Sequence, residues 1–139
     1  MTWKELIPEG ELSGKITEKT VDFAKRFGTF LGVDDKELDR NGRQRTVAAK
    51  LTTNQLRKFF GEVKRQQMQG FDKTDFIMLK PKLAYAVGRA DRGSKIKDLY
   101  FVLSDAIDKV TDENGFQNFI SIFEAIVAYH KAAESGQSL

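Results

Sequence analysis

Residues 50–65 read KLTTNQLRKFFGEVKR, and the reading of this stretch decides the architecture of the chain. Thr52 stands three residues before Gln55, the spacing of a capping box, in which each side chain accepts the other residue's orphaned backbone N–H. Leu51 precedes the cap and lies five residues from Leu56, the spacing of a hydrophobic staple. Together they predict a helix that starts at Thr52, runs to about Gln67 and stops near Gly70. At about 100° per residue, Leu56, Phe59, Phe60 and Val63 share an apolar arc, whereas Arg57, Lys58, Lys64 and Arg65 share a cationic arc on the other side. Phe59 and Phe60 therefore read as core residues. Glu62, the single acid of the stretch, falls beyond the edge of the cationic arc.

Gly61 falls inside that arc, although a mid-helix glycine costs about 1 kcal/mol relative to alanine. Either a neighbouring helix packs closely there, or a nucleic-acid backbone approaches a side-chain-free spot. Packing a helix over Gly61 would desolvate Arg57, Lys64 and Arg65 without acidic partners, which is costly.

Helical periodicity also governs the flanks. Ile16, Phe23, Ala24, Phe27 and Leu31 mark one stripe over 16–31, ended by Gly32. Asp34 with Glu37 resembles the capping box of a short helix closed by Asn41-Gly42, and 43–49 reads as a basic connecting loop. Pro81 suits the first turn of a helix, which predicts a turn at 75–79 and a helix over about 81–91. Ile96, Leu99, Leu103, Ala106, Ile107 and Val110 share a face over 95–112. Asn114 is the expected cap of a last helix, whose stripe runs from Phe116 through Phe123 to His130. No alternating run is long enough to build a sheet. The expected fold is all-α: a compact bundle of five or six helices in one domain over 1–139, with flexible ends at 1–14 and 134–139.

The formal net charge of +3 conceals an asymmetry. From Arg40 to Lys95 fourteen basic residues face four acids, a net +10, and the remainder of the chain carries −7. Such a division within one domain points to a polyanionic partner. The chain has no cysteine, so disulfides, thiolate metal sites and cysteine nucleophiles are excluded, and a cytoplasmic location is expected. His130 is the only histidine, which excludes a multi-histidine metal site. The polar, acidic N-terminus does not read as a signal peptide, and no apolar run is long enough to span a membrane.

A second basic stretch, KPKLAYAVGRADR, adds Lys80, Lys82, Arg89 and Arg92. Lys82 and Arg89 are seven residues apart and nearly aligned on a helix, with Tyr85 one turn from Lys82; either the tyrosine hydroxyl donates to a phosphate or, the favoured reading, the ring is half-buried in a helix interface. Three blocks in order, KLTTNQLRKFF, LKPKLAYAVGRA and FISIFEAIVAYHK, resemble the small-subunit protein of type III-A CRISPR effector complexes, the Csm complexes. The likeness spans about 48–131, with Asn54 where serine is common and Val87 where alanine is common. It implies a non-catalytic helical subunit of antiviral defence that stacks with further copies of itself along the duplex of guide RNA and target RNA, touching its backbone. Its partners would be a palm-domain large subunit and a repeated backbone subunit, which hold the catalysis. The RNA-contacting positions the family implies are Lys50, Arg57, Lys58, Lys80, Lys82 and Arg89; the helical arc adds Lys64 and Arg65. Backbone grip of this kind leaves sequence reading to base pairing.

Other chemistries lack their parts. His130 lies on an apolar stripe, where a satisfied core histidine is the expectation. Asp105, Asp108 and Asp112 follow helical spacing and read as a solvated acidic face rather than a Mg²⁺ site. No phosphate-binding glycine loop is present, and neither an enzyme nor a cofactor is expected. A helix-turn-helix regulator would need a helix ending three or four residues before Thr52, and the loop there is too long. The remaining alternative is a structural adaptor that contacts only protein subunits of an assembly.

Overall fold

The capping signals at Thr17, Thr52 and Asp112 place the starts of three long helices. The computed structural model describes residues 15–139; the expected flexible stretch 1–14 lies outside them. Among the described residues the elements are α1 (Glu18–Leu31), β1 (Asp35–Leu38), β2 (Gln44–Val47), α2 (Thr53–Gln69), α3 (Lys73–Ile77), α4 (Leu79–Arg89), α5 (Ile96–Lys109) and α6 (Glu113–Glu134). The mostly-α bundle is as expected. α2 carries the anticipated capping box between Thr52 and Gln55, and Gly70 ends it. Leu51 and Leu56 are both buried, as the staple requires. Pro81 occupies the third helical position of α4, where its missing N–H is harmless.

The central element is α6, which buries Phe116, Phe119, Ile120, Phe123 and Ile126 against the other helices. α1 lies directly on its backbone. A Cβ at Gly28 would stand 2.6 Å from the Ile126 carbonyl oxygen, and one at Gly32 would stand 2.7 Å from that of His130. The rising order of these contacts means that the two helices run in the same direction. α2 crosses the opposite way, with Thr53 near Glu134 and Gln67 hydrogen-bonded to Gln117. Phe59 and Phe60 are half-buried rather than enclosed, their ring centroids 5.8 and 5.1 Å from that of Phe123.

Four local expectations are corrected. Residues 34–47 form no helix and loop but an antiparallel hairpin, in the register Asp35↔Val47 to Leu38↔Gln44. Asp39 Oδ1 accepts the N–H groups of Asn41 and Arg43, and Gly42 takes φ +75°, so Asn41-Gly42 is a hairpin turn. The Asp34 carboxylate does not cap a helix; it accepts the Ala49 and Lys50 N–H groups, which lower its pKa. α6 is capped by Asp112, whose side chain accepts the Gly115 N–H at 2.8 Å, not by Asn114. Glu134, expected to open a frayed tail, is the last residue of α6 and holds both the N–H and the hydroxyl of Thr53.

Candidate nucleic-acid interface

Of the eight cationic positions, Arg57, Lys58, Lys64 and Arg65 stand on α2 and Lys82 and Arg89 on α4, and Lys58, Lys82 and Arg89 line one groove. Arg57 and Lys64 stand on the outer side of α2 with Gly61 between them; a Cβ built at Gly61 meets nothing within 4 Å among the described residues. Close helix packing is therefore not what this glycine serves. Gly88 on α4 is equally open. Lys64 Nζ lies 5.9 Å from the Phe60 ring centroid, so the aliphatic stem runs along the helix before its charge reaches water.

Lys58 stands on the side of α2 that faces α4, and Arg65 turns along its own helix to Glu62 and Gln69. Between the two helices lies a groove of about 590 Å³, with Phe59, Ala86, Ala90 and Ile96 in its lining and the exposed side chains of Lys58, Lys82 and Arg89 around it. Tyr85 also lines it and is 69% exposed, not half-buried in a helix interface. The Arg89 guanidinium lies 5.7 Å from its ring centroid.

Glu62 spans this groove. Its carboxylate accepts Arg65 Nη2 at 2.6 Å, Arg65 Nε at 3.0 Å and Lys82 Nζ at 2.8 Å. Hydrogen bonds from Arg65, then Lys82, hold its pKa down to about 2. The acid left outside the cationic arc is thus a strut tying α4 to α2, and it partly neutralises two candidate cations. Its three-residue spacing from Arg65 signals half of that arrangement; the link to Lys82 is tertiary.

The other two candidates stand apart. Lys80 faces α5, its Nζ 2.6 Å from Asp108 Oδ1, on the far side of α4 from Lys82. Lys50 is exposed, two residues before the N-cap of α2. Among the described residues no acid lies within ion-pair distance of Lys50, Arg57, Lys58, Lys64 or Arg89.

Not every cation of the +10 segment belongs to a surface. Lys95 is 3% exposed; its Nζ donates to the Phe30 and Val33 carbonyls at 2.8 and 2.6 Å, 3.1 Å from Asp35 and 4.1 Å from the Phe30 ring centroid. It closes the C-terminal end of α1. Lys73 similarly donates to the Val110 carbonyl at 2.5 Å, just past the end of α5. Both belong to the +10 segment from Arg40 to Lys95, and nothing in their spacing separates them from its surface cations.

The rival chemistries can be placed too. His130 is 1% exposed, and its Nε2–H donates to the Leu51 carbonyl at 2.5 Å, a structural tether. Asp105 pairs with Lys109 and Asp108 with Lys80. The element before α2 is a hairpin, not a helix, which removes the helix-turn-helix geometry. No helix among the described residues is long and apolar enough to cross a membrane.

A family model described as Csm2 Type III-A matches residues 34–136, from the hairpin to the end of α6 and across the whole α2–α4 surface. Comparisons with curated proteins and with solved structures gave no match.

Proposed function

The chain belongs to the Csm2 Type III-A family, the small subunits of type III-A CRISPR effector complexes, and from that premise we propose that it grips the guide–target RNA backbone without reading sequence. It assembles with other Csm-complex subunits. In this reading its neighbours are the palm-domain large subunit, the repeated backbone subunit and further copies of itself, and it contributes no catalysis of its own. The supporting observation is the open surface at Gly61. Arg57, Lys58 and Lys64 surround a spot with no side chain, no acid among the described residues lies within ion-pair distance of them, and a phosphate chain can approach the spot closely. Contacts of this kind carry affinity but no sequence information.

The test is reversal of Arg57 and Lys64 to glutamate. Each phosphate contact contributes about −0.7 to the slope of log K against log salt on single-stranded RNA. The double reversal should flatten that slope by roughly one to two units and weaken binding similarly across unrelated sequences. Helicity should hold, because both side chains point away from the apolar arc. Reversals at Lys19 and Lys131, outside the basic segment, should do much less. If Arg57 and Lys64 can be reversed with RNA retention intact, both in the assembled complex and alone, the face is an adaptor surface for protein subunits.

A further inference from the structure

A duplex backbone presents charge and needs no apolar cleft, yet the α2–α4 surface contains one. Its volume of about 590 Å³ falls within the roughly 300–1,000 Å³ range of small-ligand sites, and its lining combines an apolar base with a few charged groups, as such sites do. Tyr85 stands in it with 69% of its surface in water, an unusual position for a large ring on a helix that buries Leu79 and Leu83. The Arg89 guanidinium lies over that ring, 5.7 Å from its centroid. Lys58 and Arg89 have no acidic partner among the described residues, and Lys82 shares Glu62 with Arg65.

We infer that this groove seats one unpaired nucleobase of an RNA strand, stacked on Tyr85 over the carbon surface of Phe59 and Ala86, with the flanking phosphates on Lys58, Lys82 and Arg89. The inference rests on the RNA-gripping reading and adds a ligand to it: a single splayed base rather than a paired backbone. Charge complementarity selects this occupant over an apolar protein segment. Such a segment would desolvate Lys58 and Arg89 without neutralising them, whereas a nucleotide brings its own anions next to its apolar face. Stacking on one ring tolerates any base, so the groove adds affinity for unpaired RNA without sequence preference.

The experiment compares a short oligouridylate with an abasic ribose–phosphate chain of the same length, on the full chain and on the assembled complex. Both probes carry the same phosphates and differ only in bases. The expected result is a preference of roughly 5- to 150-fold for the base-bearing probe, the equivalent of one base–aromatic stack. Tyr85→Ala should abolish the preference and leave the salt slope unchanged, and Tyr85→Phe should retain it. Unchanged circular dichroism would confirm that the exposed position is not needed for folding. Salt-dependent binding with equal affinity for the two probes overturns the inference and leaves the backbone grip standing. A preference that survives Tyr85→Ala overturns it by placing the base elsewhere. Absence of salt-dependent RNA binding in chain and complex alike sinks the RNA-gripping reading, and the nucleobase seat with it. If Tyr85→Ala instead detaches the subunit from its protein partners without affecting RNA, the groove holds a protein segment and the inference fails.

Discussion

Two glycine-to-alanine substitutions in helices of this chain should move stability in opposite directions. An alanine at Gly61 adds a methyl group that meets nothing within 4 Å among the described residues, so no steric cost offsets the gain in helix propensity. That gain is about 0.8–1.0 kcal/mol in an exposed helix interior, equivalent to a rise in melting temperature of about 3–6 °C at this chain length. At Gly28 the same methyl group would stand 2.6 Å from the Ile126 carbonyl oxygen and 2.9 Å from the Tyr129 Cβ. These are backbone and near-backbone atoms of α6, which cannot rotate aside. Relief requires α1 to move off α6, and overpacking of this kind costs about 1–3 kcal/mol. With the contact this short the upper part of that range applies, so Gly28→Ala should lose roughly 1–2 kcal/mol after the propensity gain. Urea denaturation followed by far-ultraviolet circular dichroism reads both values. Destabilisation by Gly61→Ala would mean that something covers the face and would refute the open-surface argument. If an RNA backbone occupies the spot in the assembled complex, Gly61→Ala should raise stability while loosening RNA.

Glu62→Gln should remove the strut between α2 and α4. The folded-state pKa of Glu62 lies near 2, below its ordinary value of 4.5, so its contribution is complete above 4.5 and is lost as pH falls toward 2. Solvent screening limits it to about 1 kcal/mol or less, and the gap between wild type and variant should close over that window in acid denaturation midpoints. A gap that persists unchanged at the acid end would show that the glutamate acts other than through its charge. Phe123→Ala should cost about 3–5 kcal/mol, because the ring is fully buried against Phe59, Phe60 and Phe119. Phe59→Ala should cost clearly less, since that ring is half-buried; equal losses in chemical denaturation would contradict the packing described.

Helix α2 is legible in the sequence because two local signals coincide there, an apolar stripe of helical period and a cap of defined chemistry; α5 has no side-chain cap and is read from its stripe alone. Thr52, Gln55 and Gly70 bound α2 in the structure as their spacing predicts. The hairpin is not legible because neither strand buries a face. Leu38 is 71% exposed and the remaining strand residues are polar or only partly covered, so no two-residue alternation exists to read. Its one local signal, Asn41-Gly42, serves equally as a helix stop or a hairpin turn, and Asp34 with Glu37 imitates a capping box. In the candidate interface, the cationic arc of α2 follows from helical geometry alone, which predicts that Arg57, Lys58, Lys64 and Arg65 share a side. The division of labour within the basic segment does not follow from it. Lys95 points inward because the end of α1 presents carbonyls that need a donor, and Lys80 pairs across to Asp108; both facts depend on which helices become neighbours. Tyr85 is misread as an interface residue for the same reason, since α4 meets α2 across a groove rather than a packed seam.

The polar residues that a sequence reading leaves without a role explain why the basic helix is held in place. The Leu51 N–H donates to the Leu31 carbonyl at 2.8 Å, and the Leu51 carbonyl accepts His130 Nε2–H. The Lys95 N–H donates to the Ala49 carbonyl at 2.9 Å, and Asp34 takes the N–H groups of Ala49 and Lys50. Glu134 then receives the first helical N–H of α2, and hydrogen bonding from Thr53 lowers its pKa. Buried backbone groups left unpaired cost about 1–3 kcal/mol each, so sliding α2 along its axis would break several such contacts at once. One end of α2 is therefore tied to α1, α5 and α6, and its middle is tied to α4 through Glu62 and Lys82. A charged face fixed in this way loses little conformational freedom when a polyanion arrives, and more of its electrostatic attraction is retained as affinity. That is why a buried histidine, a buried lysine and a C-terminal glutamate, none of which faces the candidate groove, belong to the physical account of the candidate interface.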